Sequence, residues 1–231
     1  MDINRHFSRL LVASLLLTCS AAKIAAADKF CTPFLNGKVE QSVLDSMLHA
    51  AKNGYLYRVQ PATSMVKFCV DSKFSHVEGR FKDFEGGIAM QSGAESRGQA
   101  LLSIDADSVS TSNTLVEKVI KSGTFIDVGH YPEILFVSTG FEWLIGTAGI
   151  VKGNLTLHGV TRPVTFNVKL SDIRGNKVGD SDIILIKMSV PISRADFGMR
   201  KRKLLVSDSV KLCMSVQAKK TNLSCMQCHN D

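Results

Sequence analysis

The sequence is poor in tryptophan, tyrosine and proline, and it has no long apolar segment. Its 231 residues include 1 Trp, 3 Tyr and 5 Pro. No apolar run reaches the roughly 20 residues of a membrane-spanning helix, and no internal repeat indicates a propeller or a solenoid. Because 45% of the residues are hydrophobic and 21% are charged, the composition is globular and argues against a disordered, collagenous or coiled-coil chain.

Catalytic motifs are also lacking. The sequence shows no Ser-His-Asp arrangement around a nucleophile, no paired carboxylates in a repeated setting and no glycine-rich phosphate loop after a strand. Four histidines, His49, His76, His130 and His158, are scattered along the chain, and single histidines are mostly surface or core residues rather than metal ligands. These absences predict a protein that is not an enzyme.

The net charge of +7 is concentrated in one run, formed by Arg200, Lys201, Arg202 and Lys203. A protein that binds nucleic acid is expected to carry basic residues along a whole face, with aromatic residues between them. The sequence therefore predicts no nucleic-acid partner. The run is either a solvated loop or a contact for an anionic membrane surface or a redox partner.

The first 27 residues have the pattern of a signal peptide. Arg5 and Arg9 precede an apolar run over 10–17, and small residues lead to Ala27. This arrangement predicts cleavage after Ala27 and export to the periplasm. The alternatives are an N-terminal membrane helix and, less well matched, lipid attachment at Cys19.

Hydrophobic periodicity divides the remaining chain into three parts. Residues 28–54 form an N-terminal helical cap, residues 55–218 a barrel domain and residues 219–231 a short tail. The predicted helix of the cap places five residues on one face: Val43, Leu44, Met47, Leu48 and Ala51.

From Tyr55 onward, apolar residues alternate with polar or small ones in about eight segments, which is typical of half-buried antiparallel strands. One helical segment interrupts them between Asn113 and Ser122. Strands with one apolar face must bury it in a barrel or a sandwich, and a closed barrel also removes exposed strand edges. The prediction is an all-β protein, an antiparallel eight-stranded barrel with one short inserted helix.

Eight segments over about residues 55–218 form a recognisable series in order and spacing: residues 66–68, 77–86, 108–111, 121–128, 131–132, 136–139, 153–164 and 193–199. In this order and spacing they resemble the YceI-like family of bacterial lipid-binding proteins. The resemblance implies an extended, lipocalin-like barrel whose apolar tunnel holds a polyisoprenoid chain, such as a quinone tail or a prenyl diphosphate. It also implies a binding protein without catalytic residues.

Period-two alternation sends a defined set of side chains into the barrel. We expect them to surround one continuous apolar cavity: Phe68, Val70, Phe81, Phe84, Phe125, Phe136, Leu155, Leu157, Phe166, Ile186, Met188, Leu212 and Met214. Arg194 either donates to the polar head of a ligand or pairs with Asp196 to tie down one end of the barrel.

Two cysteines of the barrel are predicted to pair. Cys69 and Cys213 face outward on the first and last strands, which become antiparallel neighbours when a barrel closes. In an oxidising compartment this arrangement favours a disulfide between them. The alternatives are two separate thiols, or a bridge from Cys31 to one of the two.

The tail ends in Cys225, Cys228 and His229, with the spacing of covalent haem attachment. Two thiols would add to the haem vinyl groups and the imidazole would ligate iron. This reading makes the protein a c-type monohaem redox protein whose barrel binds a quinone or docks a partner. The alternatives are a local disulfide, a bridge to Cys31 and a metal-binding tail.

Overall fold

The computed structural model describes residues 39–90, 98–144, 147–173, 175, 181–200 and 205–221. Within these ranges eleven strands form one antiparallel sheet. The strands are β1 (Leu56–Val59), β2 (Met65–Ser72), β3 (His76–Phe81), β4 (Phe84–Ala89), β5 (Gln99–Asp105), β6 (Val109–Thr111), β7 (Glu133–Trp143), β8 (Ala148–Leu157), β9 (Val160–Asp172), β10 (Ile183–Ser193) and β11 (Val206–Thr221), and the α-helices are α1 (Gln41–Lys52) and α2 (Thr114–Lys121).

The eleven strands form the walls of an eight-stranded barrel. The order β1-β4-β5-β7-β8-β9-β10-β11 closes because β11 also pairs with β1. Strands β2, β3 and β6 continue β1, β4 and β5 after short interruptions at residues 60–64, 82–83 and 106–108, and they extend one half of the wall through the pairs β11–β2, β2–β3 and β3–β6. The predicted eight-stranded antiparallel barrel is confirmed.

The main core lies inside this barrel, as the alternation predicts. On β9, Val164, Phe166 and Val168 are buried, whereas their neighbours Thr165 and Asn167 are exposed. Because successive side chains of a strand point to opposite faces, one side of every wall strand can contribute to the core. Burial of one large apolar side chain contributes about 1.5–3 kcal/mol, so the barrel interior supplies most of the driving force for folding.

Helix α1 packs against the outer wall of the barrel. Met47 and Ala50 are buried, and Leu48, which the sequence pattern places on the buried face, is exposed. The outward-facing wall residues that the helix covers are Leu56, Ala89, Leu101 and Leu135. The predicted helix is thus present and covers a side of the barrel. Neither α1 nor α2, the two α-helices of the described ranges, is long and apolar enough to span a membrane.

Helix α2 is the predicted insertion and leads from β6 to β7. The Asn113 side-chain oxygen accepts hydrogen bonds from the backbone N–H groups of Leu115 at 2.9 Å and Val116 at 3.3 Å. Such a side-chain cap satisfies donors that the first helical turn leaves free. Ile120 is buried in the main core and Val116 packs against it, so the helix completes the wall beside the short strand β6.

The predicted Cys69–Cys213 disulfide is wrong. Strands β2 and β11 are antiparallel neighbours as expected, but their register places Lys211 opposite Cys69 and Lys67 opposite Cys213. Residues displaced by two positions have Cα separations of roughly 7–8 Å, beyond the mode of about 5.5–6 Å at which disulfides form. Both cysteines are free thiols in the structure.

A pH-dependent reactivity follows for Cys69. Burial, and secondly the Glu78 carboxylate, raise the pKa of its thiol, so the reactive thiolate is scarce near neutral pH. We expect Cys69 to react slowly with iodoacetamide at neutral pH, and faster as the pH rises through this raised pKa. Peptide mapping by mass spectrometry under non-reducing conditions measures this. A Cys69 peptide linked to Cys213 would contradict the structure. Complete labelling of Cys69 at a pH below the ordinary range of thiol pKa values would contradict it as well.

Candidate binding cavity

An apolar cavity of about 490 Å³ occupies the half of the barrel built by β2, β3, α2 and the facing strands. Its volume falls within the range of about 300–1,000 Å³ of small-molecule sites. Eleven of the fourteen residues predicted to contact a ligand line it: Phe68, Val70, Phe81, Phe125, Phe136, Leu155, Leu157, Phe166, Arg194, Leu212 and Met214.

The remaining three predicted residues lie elsewhere. Ile186 and Met188 line a second cavity of about 50 Å³, and Phe84 is buried in the core without bordering either of these two cavities. Leu102, Phe136 and Met214 border both cavities. Most of the predicted residues thus surround the large cavity and two line its smaller neighbour, because alternation fixes the face of a strand on which a side chain lies but not its depth along the barrel.

Helix α2 supplies cavity residues that the sequence analysis did not assign to a site. Val116, Val119 and Ile120 line the cavity together with Leu115. Their spacing of three and four residues places them on neighbouring positions of one helix surface. This spacing predicts the helix, but the side that the helix presents to the cavity depends on contacts that are distant in sequence.

The cavity opens at the end of the barrel where β2 turns into β3. Four large apolar side chains that line it are exposed there, Phe74 by 83%, Leu115 by 70%, Val119 by 45% and Leu205 by 37%. The backbone N–H of Lys73 donates to the carbonyl of Leu205 at 2.9 Å, so the β2–β3 turn and the segment before β11 form one edge of the opening. We call Phe74, Leu115, Val119 and Leu205 the rim.

The polar groups of the lining are engaged within the protein. Ser72 Oγ donates to the carbonyl of Ser75 at 2.7 Å, and Lys67 Nζ contacts Glu78 Oε1 at 2.5 Å. Because the rest of the lining is mostly apolar, a ligand inside the cavity would be held chiefly by apolar contact.

Arg194 is the one charged side chain that is buried among the described residues, with 2% exposed. Its guanidinium donates from Nε to the Ser207 carbonyl at 2.9 Å, from Nη1 to the Met199 carbonyl at 2.7 Å and from Nη2 to the Val206 carbonyl at 3.1 Å. Its Cζ atom lies 5.5 Å from the centre of the Phe125 ring, within the range of a cation–π contact. Arg194 therefore ties Met199 and the first two residues of β11 to the end of β10.

Asp196, the predicted carboxylate partner of Arg194, does not take that role in the structure. Burial lowers the pKa of Arg194, and the carboxylate that opposes this shift is Asp208 on β11. Asp196 instead accepts a hydrogen bond at its backbone carbonyl from Arg162 Nε at 3.1 Å. The predicted tie at the barrel end is present with these other partners, and contact between Arg194 and a ligand head group stays a prediction.

The described histidines lie outside the cavity lining. His130 contacts Asp127 at 3.0 Å, and this hydrogen bond raises the pKa of the imidazole. His158 Nδ1 lies 3.0 Å from the carbonyl of Phe197. Within the described ranges, no three His, Cys, Asp or Glu side chains cluster as a metal site.

Several predicted features fall outside the described residues. These are the signal peptide over residues 1–27, Cys31, the basic residues Lys201, Arg202 and Lys203, and the tail with Cys225, Cys228 and His229. Haem attachment at this tail stays a prediction. Arg200, the first residue of the basic run, is exposed.

Relatives of known sequence match most of the barrel. A UPF0312 protein of Pseudomonas paraeruginosa is 33% identical over 144 residues, which cover 62% of this chain and 74% of the relative. A UPF0312 protein of Pseudomonas putida strain W619 is 31% identical over 156 residues, which cover 65% of this chain and 80% of the relative.

Solved structures share the fold. BcnA of Burkholderia cenocepacia superimposes with a TM-score of 0.63 at 24% identity, covering 70% of this chain and 99% of that chain. A polyisoprenoid binding domain from Saccharophagus degradans gives a TM-score of 0.54 at 18% identity, covering 71% of this chain and 98% of that chain. The YceI-like domain model matches residues 57–218, in agreement with the resemblance found over residues 55–218, and the chain belongs to the YceI-like family.

Proposed function

We propose that this protein binds an isoprenoid lipid and holds its chain in the large cavity. The observation that carries the proposal is a mostly apolar cavity of about 490 Å³ that opens at one end of a closed barrel. The polyisoprenoid binding domain from Saccharophagus degradans, which has the same fold, supports this choice of ligand class. The ligand would be a quinone with an isoprenoid tail or a prenyl diphosphate.

Apolar contact supplies the affinity in this proposal. Each buried methylene contributes about 0.8 kcal/mol, so one five-carbon isoprene unit contributes up to about 4 kcal/mol. The head group would lie at the opening, and Arg194 and Lys67 are the charged residues of the cavity wall. The protein would act by carrying or sequestering the lipid, without a chemical step of its own.

Export to the periplasm is part of the proposal and is supported by the signal pattern of residues 1–27. Contact of the basic run at 200–203 with a membrane surface or a redox partner is also proposed, since the run concentrates cationic charge in four consecutive residues. Sequencing of the protein recovered from the periplasm tests the first point. An N-terminus at Asp28 is expected, and retention of residues 1–27 would contradict cleavage.

The lipid proposal predicts a dependence of affinity on chain length. Geraniol, farnesol and geranylgeraniol differ by one isoprene unit at each step. We expect the dissociation constant to fall by at least about tenfold per added unit while the chain still fits, since about 1.4 kcal/mol corresponds to a factor of ten.

Isothermal titration or competition against a fluorescent fatty chain measures these constants, and native mass spectrometry identifies the lipid that is purified with the protein. Equal affinity for the three alcohols, or no binding of any, would contradict the proposal. A linear alcohol of the same carbon number is the control for selectivity towards branched isoprenoid chains.

A further inference from the structure

The exposed apolar side chains of the rim lie together at the opening of the cavity. Phe74 comes from the β2–β3 turn, Leu115 and Val119 from α2 and Leu205 from the segment before β11. Three separate parts of the chain thus present apolar groups at one place. Contiguous exposed apolar surface in a folded protein marks an interaction site.

Two other exposed apolar residues, Leu144 and Ile173, lie away from the rim. Leu144 follows β7 and is 59% exposed, and Ile173 follows β9 and is 64% exposed. Both lie at the opposite end of the barrel, because β10 starts beside the end of β9 and finishes beside the start of β11. Neither residue lines the large cavity.

Cationic groups accompany the rim. Lys73 precedes Phe74, Lys118 lies on α2 next to Val119, and Arg200 follows the anchored residue Met199. All three are exposed, and within the described part of the chain none of the three forms a salt bridge.

Two acidic residues close in sequence to Lys73 and Lys118 contact other partners. Asp71 contacts His76 Nδ1 at 2.7 Å, and Glu117 contacts Lys121 Nζ at 3.6 Å. The surface around the opening therefore combines apolar side chains with three exposed cations that form no salt bridge within the described ranges. Apolar side chains that enter the acyl boundary, next to cations that meet anionic head groups, are the features of a protein surface that binds an anionic bilayer.

We propose that the rim inserts into the surface of an anionic lipid bilayer and sets the cavity opening against it. This inference rests on the proposed function, because it names the bilayer as the source of the ligand. An isoprenoid chain that left a membrane through water would expose every methylene to solvent, at a large free-energy cost. With the rim inserted, the chain passes from the acyl region directly into an apolar cavity.

Vesicle binding of the whole protein tests this inference. The vesicles contain phosphatidylcholine and phosphatidylglycerol in equal parts, and pure phosphatidylcholine is the neutral comparison. The test variant is Phe74→Ser with Leu115→Ser. The control variant is Leu144→Ser with Ile173→Ser, which removes similarly exposed apolar groups at the other end.

We expect the unmodified protein to bind anionic vesicles more tightly than neutral ones, with an affinity that falls as salt is added. The Phe74/Leu115 variant should lose at least about tenfold in partition coefficient, whereas the control variant should stay within about twofold, as is usual for surface changes away from a site. Equal binding by the two double variants, or no vesicle binding by the unmodified protein, would overturn the inference. If the Phe74/Leu115 variant binds anionic vesicles as tightly as the unmodified protein, the cations alone account for binding, and this result also contradicts the inference.

Farnesol binding in vesicle-free solution separates this inference from the proposed function. If the unmodified protein binds farnesol and the rim variant still binds vesicles normally, the membrane inference fails and the proposed function stands. If no farnesol binds, the proposed function fails, and the inference falls with it because the bilayer then supplies no ligand.

Discussion

Replacing Val70 by tryptophan is expected to lower the affinity for farnesol by about a hundredfold or more. Val70 is half-buried on β2 and faces the cavity between Val77 of β3 and Val210 of β11, its partners in the sheet register. A tryptophan at this position would occupy space that the proposal gives to one isoprene unit. Loss of one unit corresponds to up to about 4 kcal/mol, and a shift of the chain within the cavity recovers part of that loss.

The fold should tolerate this substitution, since the added side chain enters a cavity rather than close-packed core. Ile150→Trp is the matched control, because Ile150 is also a half-buried β-branched residue on a wall strand but borders neither the large nor the small cavity. Farnesol titration and thermal unfolding are measured on both variants. Unchanged affinity in a folded Val70→Trp protein would contradict binding in this cavity. If that variant does not fold, Val77→Trp in the paired strand provides the same test.

The barrel was predictable because its determinants are local in the sequence. Alternation along β9 identifies Val164, Phe166 and Val168 as inward-facing without any knowledge of the other strands. The inserted helix was likewise predictable from the spacing of its apolar residues and from its Asn113 cap. Matched segments in order and spacing then gave the family, which alternation alone does not.

The errors concern relations between strands. A shift of two residues between β2 and β11 keeps Cys69 and Cys213 on the same face and separates them along the sheet. Depth along the barrel explains why Ile186 and Met188 line the small cavity rather than the large one. Neither register nor depth leaves a signal in the periodicity of a single strand, because both depend on how distant strands pair.

The rim shows a second limit of sequence analysis. Phe74 lies in a short turn after β2, where no periodic pattern distinguishes a functional apolar residue from an incidental one. Its relation to α2 and to Leu205 arises only when three distant segments meet at the cavity opening. A turn phenylalanine that is 83% exposed is informative once its neighbours are known.

Replacing Arg194 by alanine is expected to lower the free energy of unfolding by about 3–5 kcal/mol. The substitution would leave the carbonyls of Met199, Val206 and Ser207 without the donors that the guanidinium supplies. Buried acceptors without partners cost about 1–3 kcal/mol each. The stacking of the guanidinium on Phe125 would be lost as well.

Two further substitutions distinguish the contribution of the planar guanidinium donors of Arg194 from that of its positive charge. Arg194→Lys keeps a cation, but a lysine ammonium does not present the planar fork that reaches several carbonyls at once, so we expect recovery of less than about half of the lost stability. Arg162→Ala removes an exposed arginine that donates to the carbonyls of Asp196 and Thr161 and should cost less than about 1 kcal/mol. Urea unfolding followed by tryptophan fluorescence measures all three variants. If Arg194→Ala is no less stable than Arg162→Ala, the guanidinium does not anchor the start of β11. Because Leu205 of the rim directly precedes Val206, whose carbonyl accepts from Arg194, a destabilised Arg194→Lys protein that still folds should also bind anionic vesicles more weakly than the unmodified protein.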